Sequence, residues 1–207
     1  MLFVLLPAFS GADEATEHWG VSLTWSPQFC YDQPGDTREL QCAEQHGFVL
    51  GGFDLFGGAA EDEVCSNRHA DIPHDVTERM LLTMWNKATM KRQWNQFGRC
   101  SGWEMMDYFV RADYLANRVT IPEEFKQPFA RLGTTANNIR LLFQRSNKDV
   151  NIDSIMPRCD GIWLRDVVFC VDKDLKYRSC SSLMHSGCPA QVWVRGINIR
   201  LKPRLDD

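Results

Sequence analysis

The sequence predicts one α+β domain, stabilised by disulfides, in a chain of 207 residues. Apolar residues alternate with polar ones over residues 19–25, as they do in half-buried strands. Through the middle of the chain, apolar residues recur at helical spacing. The third observation is an even number of cysteines, eight, spread along the sequence. A composition of 44% hydrophobic and 24% charged residues is ordinary for a globular protein, so disordered, collagen-like and coiled-coil chains are excluded.

Strands are predicted on either side of a helical region. Every second residue is apolar over residues 19–25, which predicts a strand with one buried face. A polar stretch at residues 31–45 predicts a loop. The next strand, at residues 48–50, is short because Gly51 and Gly52 interrupt it. Two late strands are predicted at residues 167–171 and 192–199.

The helical region begins near Asp71, after which Val76, Met80 and Met84 recur at helical spacing. The segment Thr134-Thr135-Ala136 is predicted to cap the last helix, because a threonine side chain can accept a hydrogen bond from a free N–H of the first turn. The predicted helices cover residues 71–85, 90–97, 103–118 and 125–132, with a last one from residue 136 through residue 143.

Disulfides are the predicted role of the cysteines. No C-x-x-C pair occurs, so zinc is not favoured, and neither a metal nor a cofactor is expected. Many pairings are open at this point, since composition cannot choose among them. Disulfides predict an oxidising compartment, either secreted or lumenal.

The first residues predict export. An apolar run over residues 2–9 is followed by Ser10 and Ala12, which is typical of a signal segment covering residues 1–12. The rest, residues 13–207, is predicted to be a single domain. A frayed apolar terminus is the alternative. No segment is apolar and long enough to cross a membrane, so no membrane span is expected.

Three segments carry motifs that fall in register together. Residues 21–30 read Val-Ser-Leu-Thr-Trp-Ser-Pro-Gln-Phe-Cys, residues 94–100 read Trp-Asn-Gln-Phe-Gly-Arg-Cys, and residues 168–173 read Val-Phe-Cys-Val-Asp-Lys. The chain thereby resembles the secreted ribonucleases of the T2 family over residues 19–199. The resemblance implies an antiparallel sheet packed with several helices. It also implies the disulfides Cys30–Cys42, Cys65–Cys100, Cys159–Cys188 and Cys170–Cys180.

The same resemblance marks the expected site. The family uses two histidines as acid and base, beside an acidic residue and a lysine that stabilise the phosphorane charge. At the matching positions this chain has Gly51, the pair Arg92 and Gln93, then Gln96 and Phe97. Because glycine, glutamine and phenylalanine cannot exchange protons, the resemblance predicts that the protein is not an enzyme. It would serve a structural, storage or protein-binding role, with protein partners, as a subunit of a larger assembly.

Two other interpretations stay open. The groove could bind RNA or a nucleotide without cleavage through Trp25, Arg92, Trp94 and Arg99, although a net charge of −4 weighs against a nucleic-acid-coating protein. A purely structural interpretation of the same residues is that Trp94 belongs to the core and that the basic side chains form a solvated helix face. The other interpretation is an enzyme with different chemistry, which predicts a deep pocket that holds Asp54 or His46 with a suitable partner.

Overall fold

A computed structural model describes residues 18–32, 40–44, 46–56, 70–126, 130–180 and 185–197. In this part of the chain one sheet is packed with helices, which confirms the predicted disulfide-stabilised α+β class. None of the described helices is both long and apolar enough to cross a membrane. The strands are β1 His18–Trp25, β2 Phe48–Phe56, β3 Leu132–Thr134, β4 Ile155–Asp160, β5 Trp163–Val171 and β6 Val192–Val194. The helices are α1 Ser26–Asp32, α2 Leu40–Ala43, α3 His74–Met80, α4 Lys87–Gln96, α5 Met105–Arg118 and α6 Ala136–Ser146, with 3₁₀ turns at Gly98–Cys100, Glu123–Phe125 and Ile152–Ser154.

The sheet is built around β1 and β5, which pair with each other. Its order is β2-β1-β5-β6-β3, and β4 also pairs with β5. All pairings are antiparallel except the short contact of β5 with β6. Since successive side chains of a strand point to opposite faces, each long strand contributes to two different environments.

One face of the sheet forms the main core. The alternating apolar residues of β1 are all buried on this face, and they pack with apolar residues of α3, α5 and α6. Ring contacts such as Trp19 with Phe53, and Phe143 with Phe169, join the sheet to itself and to α6. On β1 the opposite face carries Ser22 and Thr24, which leaves it polar enough to line a pocket.

The helix that matters for the pocket is α4. Asn86 caps it, accepting a hydrogen bond from Thr89 N at 2.8 Å. Met90 and Trp94 are buried in the core, whereas Arg92 lies on the solvent side. The predicted cap of α6 is confirmed, because Thr135 accepts from Asn138 N at 3.1 Å.

Several predictions of local structure are wrong, among them the strand predicted at residues 192–199, since β6 ends at Val194, and the helix predicted at residues 71–85, since α3 is His74–Met80. β2 does not end at Gly51 but continues to Phe56, because β1 pairs with it along its whole length. Leu132 begins β3 rather than ending a helix, since it pairs with Val194. The predicted loop at residues 31–45 contains the end of α1 and all of α2. For β2 and β3 the strand that decides the structure is distant in the sequence. The short helices α1 and α2 show no apolar periodicity from which they could be predicted.

Disulfides join segments at both ends of the described sheet. The structure joins Cys30 to Cys42, Cys159 to Cys188 and Cys170 to Cys180. Cys100 is also disulfide-bonded, but Cys65, its expected partner, lies outside the described residues. So do residues 1–12, and the predicted signal segment and domain boundary therefore stay predictions.

Candidate functional site

A pocket of about 440 Å³ opens on the polar face of the sheet, where α4 crosses the edge of β2. Strands β1, β2, β4 and β5 supply its floor, and α1 and α4 supply its walls. A volume of this size accommodates a small ligand or one unit of a polymer. Its lining consists of Ser22, Thr24, Phe29, Asp32, Gly51, Asp54, Arg92, Gln93, Gln96, Phe97, Arg158, Arg165 and Asp166.

Two β-bulges shape the pocket floor. Ser22 pairs with Gly52 and Leu23 with Leu50, so Gly51 is the extra residue in β2. In β5, Asp166 pairs with Arg158 while Leu164 pairs with Cys159, which makes Arg165 the extra residue. A bulge re-aims the side chains beside it and is common next to active sites. Here it brings Arg165 to the same pocket as its neighbour Asp166, although consecutive strand residues normally face opposite ways.

A buried charge cluster occupies the centre of the pocket. The Arg158 guanidinium donates to both carboxylate oxygens of Asp166, at 2.6 and 3.1 Å. It also donates to Asp54 Oδ2 at 3.5 Å. Only 17% of the Arg158 side chain and 9% of the Asp54 side chain are exposed. Arg165 Nε donates to Asp166 Oδ2 at 3.0 Å, but the Arg165 side chain is half-exposed.

Asp54 is the carboxyl group with the most unusual environment in this cluster. Burial raises the pKa of the Asp54 carboxyl above its ordinary value, although the charge of Arg158 and a hydrogen bond from Gln93 act in the opposite direction. Burial and then the charge of Asp54 raise the pKa of the Tyr108 hydroxyl well above its ordinary value, so Tyr108 stays neutral. Asp54 is therefore a carboxyl group that is more easily protonated than an exposed aspartate, inside a ligand-sized pocket.

The pocket contains every position that the sequence marked as matching the family's site. Gly51 lies on the floor, and Arg92, Gln93, Gln96 and Phe97 come from α4 and its C-terminal end. These positions come together in the pocket because α4 packs on β2. The acid–base groups that the described lining offers are carboxyl groups, at Asp32, Asp54 and Asp166.

The four residues proposed for binding separate into two groups. Arg92 lines the pocket, but Arg99 does not belong to its described lining and instead donates to Asn95 Oδ1 at 3.5 Å. Trp25 and Trp94 are buried in the main core, so neither offers a ring face on which a base could stack. The plainer interpretation of Trp94, as a core residue, agrees with its position.

His46, the other residue weighed for different chemistry, lies away from the pocket. Its ring contacts the Trp85 ring with a centroid distance of 4.1 Å, and Nε2 lies 3.4 Å from Glu44. Burial lowers the pKa of His46, opposed by the charge of Glu44. Of the two candidates for different chemistry, only Asp54 lines the pocket.

Sequence reasoning missed Arg158, Arg165 and Asp166. For Arg165 and Asp166 the available signal was their position directly beside an apolar strand run at residues 167–171. Charges that flank a buried strand are often exposed, so the signal is weak without knowledge of the sheet. The bulge at Arg165 and the pairing of β4 with β5 bring these residues together.

Gly51 and Thr24 compete for one volume, and this gives a testable prediction. A Cβ atom at residue 51 would lie 1.8 Å from Thr24 Oγ1 and 2.9 Å from Thr24 Cβ. Gly51→Ala should therefore lower the free energy of unfolding by about 1–3 kcal/mol, as overpacking does. Thr24→Gly in the same chain should recover part of that loss. Urea unfolding of the four proteins in this double-mutant cycle measures the coupling, and additive losses would show that the two residues do not compete.

No family model matches the chain. A curated protein named ribonuclease, from Aeromonas hydrophila, is 26% identical over 122 residues, which are 56% of this chain and 54% of that protein. The matched part thus spans about half the length of that relative.

Solved structures give a likeness over most of the chain. The structure of trichomaglin, described as a novel S-like ribonuclease, is 15% identical, with 86% of this chain and 96% of that chain covered and a TM-score of 0.64. RNase NT in complex with 5′-AMP is 17% identical, with 86% and 97% covered and a TM-score of 0.56. The chain has the ribonuclease T2 fold. The resemblance drawn from the three sequence motifs is thereby confirmed at the level of the fold.

The comparisons contradict the prediction that the protein is not an enzyme. The curated relative and both solved structures are named ribonucleases, which points to an enzyme. The prediction rested on histidine as the proton-exchanging group, whereas the pocket of this chain is lined by a buried carboxyl group beside arginines. The predicted protein partner and subunit role are not tested and stay predictions. The disulfides and the T2 fold are consistent with an oxidising compartment.

Proposed function

We propose that the protein cleaves RNA in this pocket, with Asp54 as the group that moves the proton and arginines as the phosphate-binding groups. We further propose that it is exported to an oxidising compartment, where its disulfides persist. The observation that carries the first proposal is the position of Asp54. It is a buried carboxyl group of raised pKa that lines a ligand-sized pocket and touches a guanidinium group.

The arginines supply the complementary charge. Arg158 uses Nε and one terminal nitrogen in its bonds to Asp166 and Asp54, so its other terminal nitrogen is not engaged by these carboxylates. Arg165 uses only Nε in its bond to Asp166. Guanidinium groups bind phosphate oxygens through paired N–H donors. A phosphodiester held between them would have its transition-state charge balanced by donors that the fold already holds in place.

The proposed reaction uses the nucleophile that RNA itself carries. The ribose 2′-oxygen bonds to phosphorus while its proton passes to the Asp54 carboxylate. The bond from phosphorus to the 5′-oxygen breaks, and the departing oxygen takes the proton back from Asp54. The products are a 2′,3′-cyclic phosphate and a 5′-hydroxyl end, and the protein returns to its starting state.

The experiment uses the oxidised full chain and two oligonucleotides of one sequence, RNA and DNA. We expect the RNA to be cleaved to cyclic-phosphate ends and the DNA to stay intact, because DNA lacks the 2′-hydroxyl. Mass spectrometry of the fragments identifies the ends. An absence of cleavage at both acid and neutral pH would overturn the proposal, and so would equal cleavage of the two substrates.

A second candidate function is binding of RNA or a nucleotide through the same pocket, and Arg92 favours it. This side chain is exposed at the pocket wall, and no ion pair holds it among the described residues. The solved structure of RNase NT contains 5′-AMP, which makes a nucleotide a reasonable first ligand to test.

Arg92→Ala should weaken the binding of an uncleavable RNA analogue and reduce its salt dependence, because one phosphate contact is lost. Arg99→Ala is the matched control, since it removes the same charge from the 3₁₀ turn that follows α4, outside the described pocket lining. Fluorescence anisotropy over a salt series measures both variants. Equal losses from both would mean that the pocket does not hold the phosphate.

A further inference from the structure

One amide side chain joins α4, α5 and β2 behind the pocket. Gln93 Oε1 accepts a hydrogen bond from Phe53 N at 3.2 Å, and the Tyr108 hydroxyl lies 3.1 Å from the same oxygen. A backbone N–H can only donate, so the amide oxygen must face Phe53. The amide NH₂ group is thereby turned toward Asp54, and Nε2 donates to Asp54 Oδ1 at 3.0 Å.

The surroundings of Gln93 leave the amide little freedom. Gln93 is buried, and the Tyr108 hydroxyl that approaches it also lies 2.6 Å from Phe53 O. A Cβ atom at Gly52 would lie 2.3 Å from Gln93 Nε2 and 2.6 Å from its Cδ. The absence of a side chain at Gly52 is therefore what lets the amide approach the strand.

The two oxygens of Asp54 consequently have different roles. Oδ1 receives the Gln93 donor, whereas Oδ2 faces Arg158 at 3.5 Å, a long contact. We propose that Gln93 is a positioning residue, which holds Asp54 Oδ1 and keeps Oδ2 as the oxygen that exchanges the substrate proton. This inference rests on the proposed RNA cleavage. Gln93 itself takes no proton and touches no reacting atom.

A donor on Oδ1 stabilises the charged form of Asp54. The hydrogen bond from Gln93 therefore lowers the pKa of Asp54 against the effect of burial, which raises it. Other titratable or charged groups face Asp54 from three elements, and they stay in place when Gln93 is changed. They are Arg158 on β4, Asp166 on β5 and Tyr108 on α5, with Asp32, Arg92 and Arg165 elsewhere in the pocket lining.

The test changes the amide in two ways. Gln93→Leu removes the donor, and Gln93→Glu keeps an acceptor for Phe53 N but turns a like charge toward Asp54. Gln96→Leu is the matched control, because Gln96 lies on the same helix and lines the same pocket without a bond to Asp54. The oxidised full chain is labelled with ¹³C at its aspartate carboxyl carbons. The Asp54 signal is assigned by its loss in Asp54→Asn, and its titration midpoint is compared among the variants.

Both Gln93 variants should move the Asp54 midpoint to higher pH, and Gln96→Leu should leave it in place. The acid limb of the RNA-cleavage profile should move in the same direction, with KM unchanged. An unmoved midpoint in both Gln93 variants would overturn the positioning role. A midpoint that moves without the acid limb would also overturn it, because Asp54 would then not exchange the substrate proton. A moved midpoint in a chain that cleaves no RNA would count against the proposed function alone.

Discussion

Arg158→Met is expected to lower the free energy of unfolding by about 3–5 kcal/mol at neutral pH, the usual cost of removing one partner from a buried ion cluster. The arginine is the bridge between Asp54 and Asp166, with bonds of 2.6 and 3.1 Å to Asp166 and a contact of 3.5 Å to Asp54. Methionine fills similar space but leaves two buried carboxylates without this partner. Arg165 compensates only Asp166, and through a half-exposed side chain.

The size of that loss should depend on pH in a defined direction. Without Arg158, protonation relieves the repulsion between the two carboxylates, so the destabilisation should shrink as the pH is lowered. Arg118→Met is a matched control, because its ion pair with Asp149 is exposed, at 42% and 62% of the two side chains, and such pairs contribute about 0–1 kcal/mol. Urea unfolding of oxidised protein at acid and neutral pH measures both variants. If both variants lost the same free energy of unfolding, the bridge that Arg158 forms between Asp54 and Asp166 would contribute no more than an exposed ion pair.

The charge cluster also shows where prediction from the sequence stops. The strand at residues 19–25 and the Thr135 cap could be predicted, because an alternating pattern or a cap lies within a few residues of chain. Asp54 and Arg158 are 104 residues apart. No local pattern connects them, and their contact depends on the order β2-β1-β5 with β4 beyond it.

Some residues of the pocket could nevertheless be predicted from the sequence motifs. The positions at Gly51, Arg92 and Gln93 were singled out by resemblance, and all three line the pocket. The structural role of these positions cannot be predicted from the motifs, because it depends on the space available around each side chain in the folded protein. Gly51 has no room for a side chain because of Thr24, and Gln93 has its position because Gly52 has none. The motifs alone do not show that these positions surround the Asp54 carboxyl group.

Asp54→Asn is expected to reduce RNA cleavage by about 10²–10⁴-fold, the usual contribution of a positioned acid–base group. The change is nearly isosteric, and the asparagine carbonyl can still accept from Gln93 Nε2, which now lies 3.0 Å from Asp54 Oδ1. What the variant loses is the ability to take a proton. RNA binding should persist, since Arg92 and Arg165 are unchanged, so the loss should fall in kcat with little change in KM.

The stability of the same variant should change in the opposite sense from that of Arg158→Met. Because burial raises the pKa of Asp54 in the folded protein, the native state binds this proton more tightly than the unfolded chain does. Its contribution to stability is therefore complete below the unfolded pKa of an aspartate and is lost as the pH rises through the folded pKa. At neutral pH the folded protein bears the cost of a buried carboxylate, and Asp54→Asn removes that cost. We expect the variant to be at least as stable as the parent at neutral pH, with a flatter dependence of stability on pH. A variant that loses cleavage and also unfolds more readily at neutral pH would assign Asp54 a structural role in place of the catalytic one.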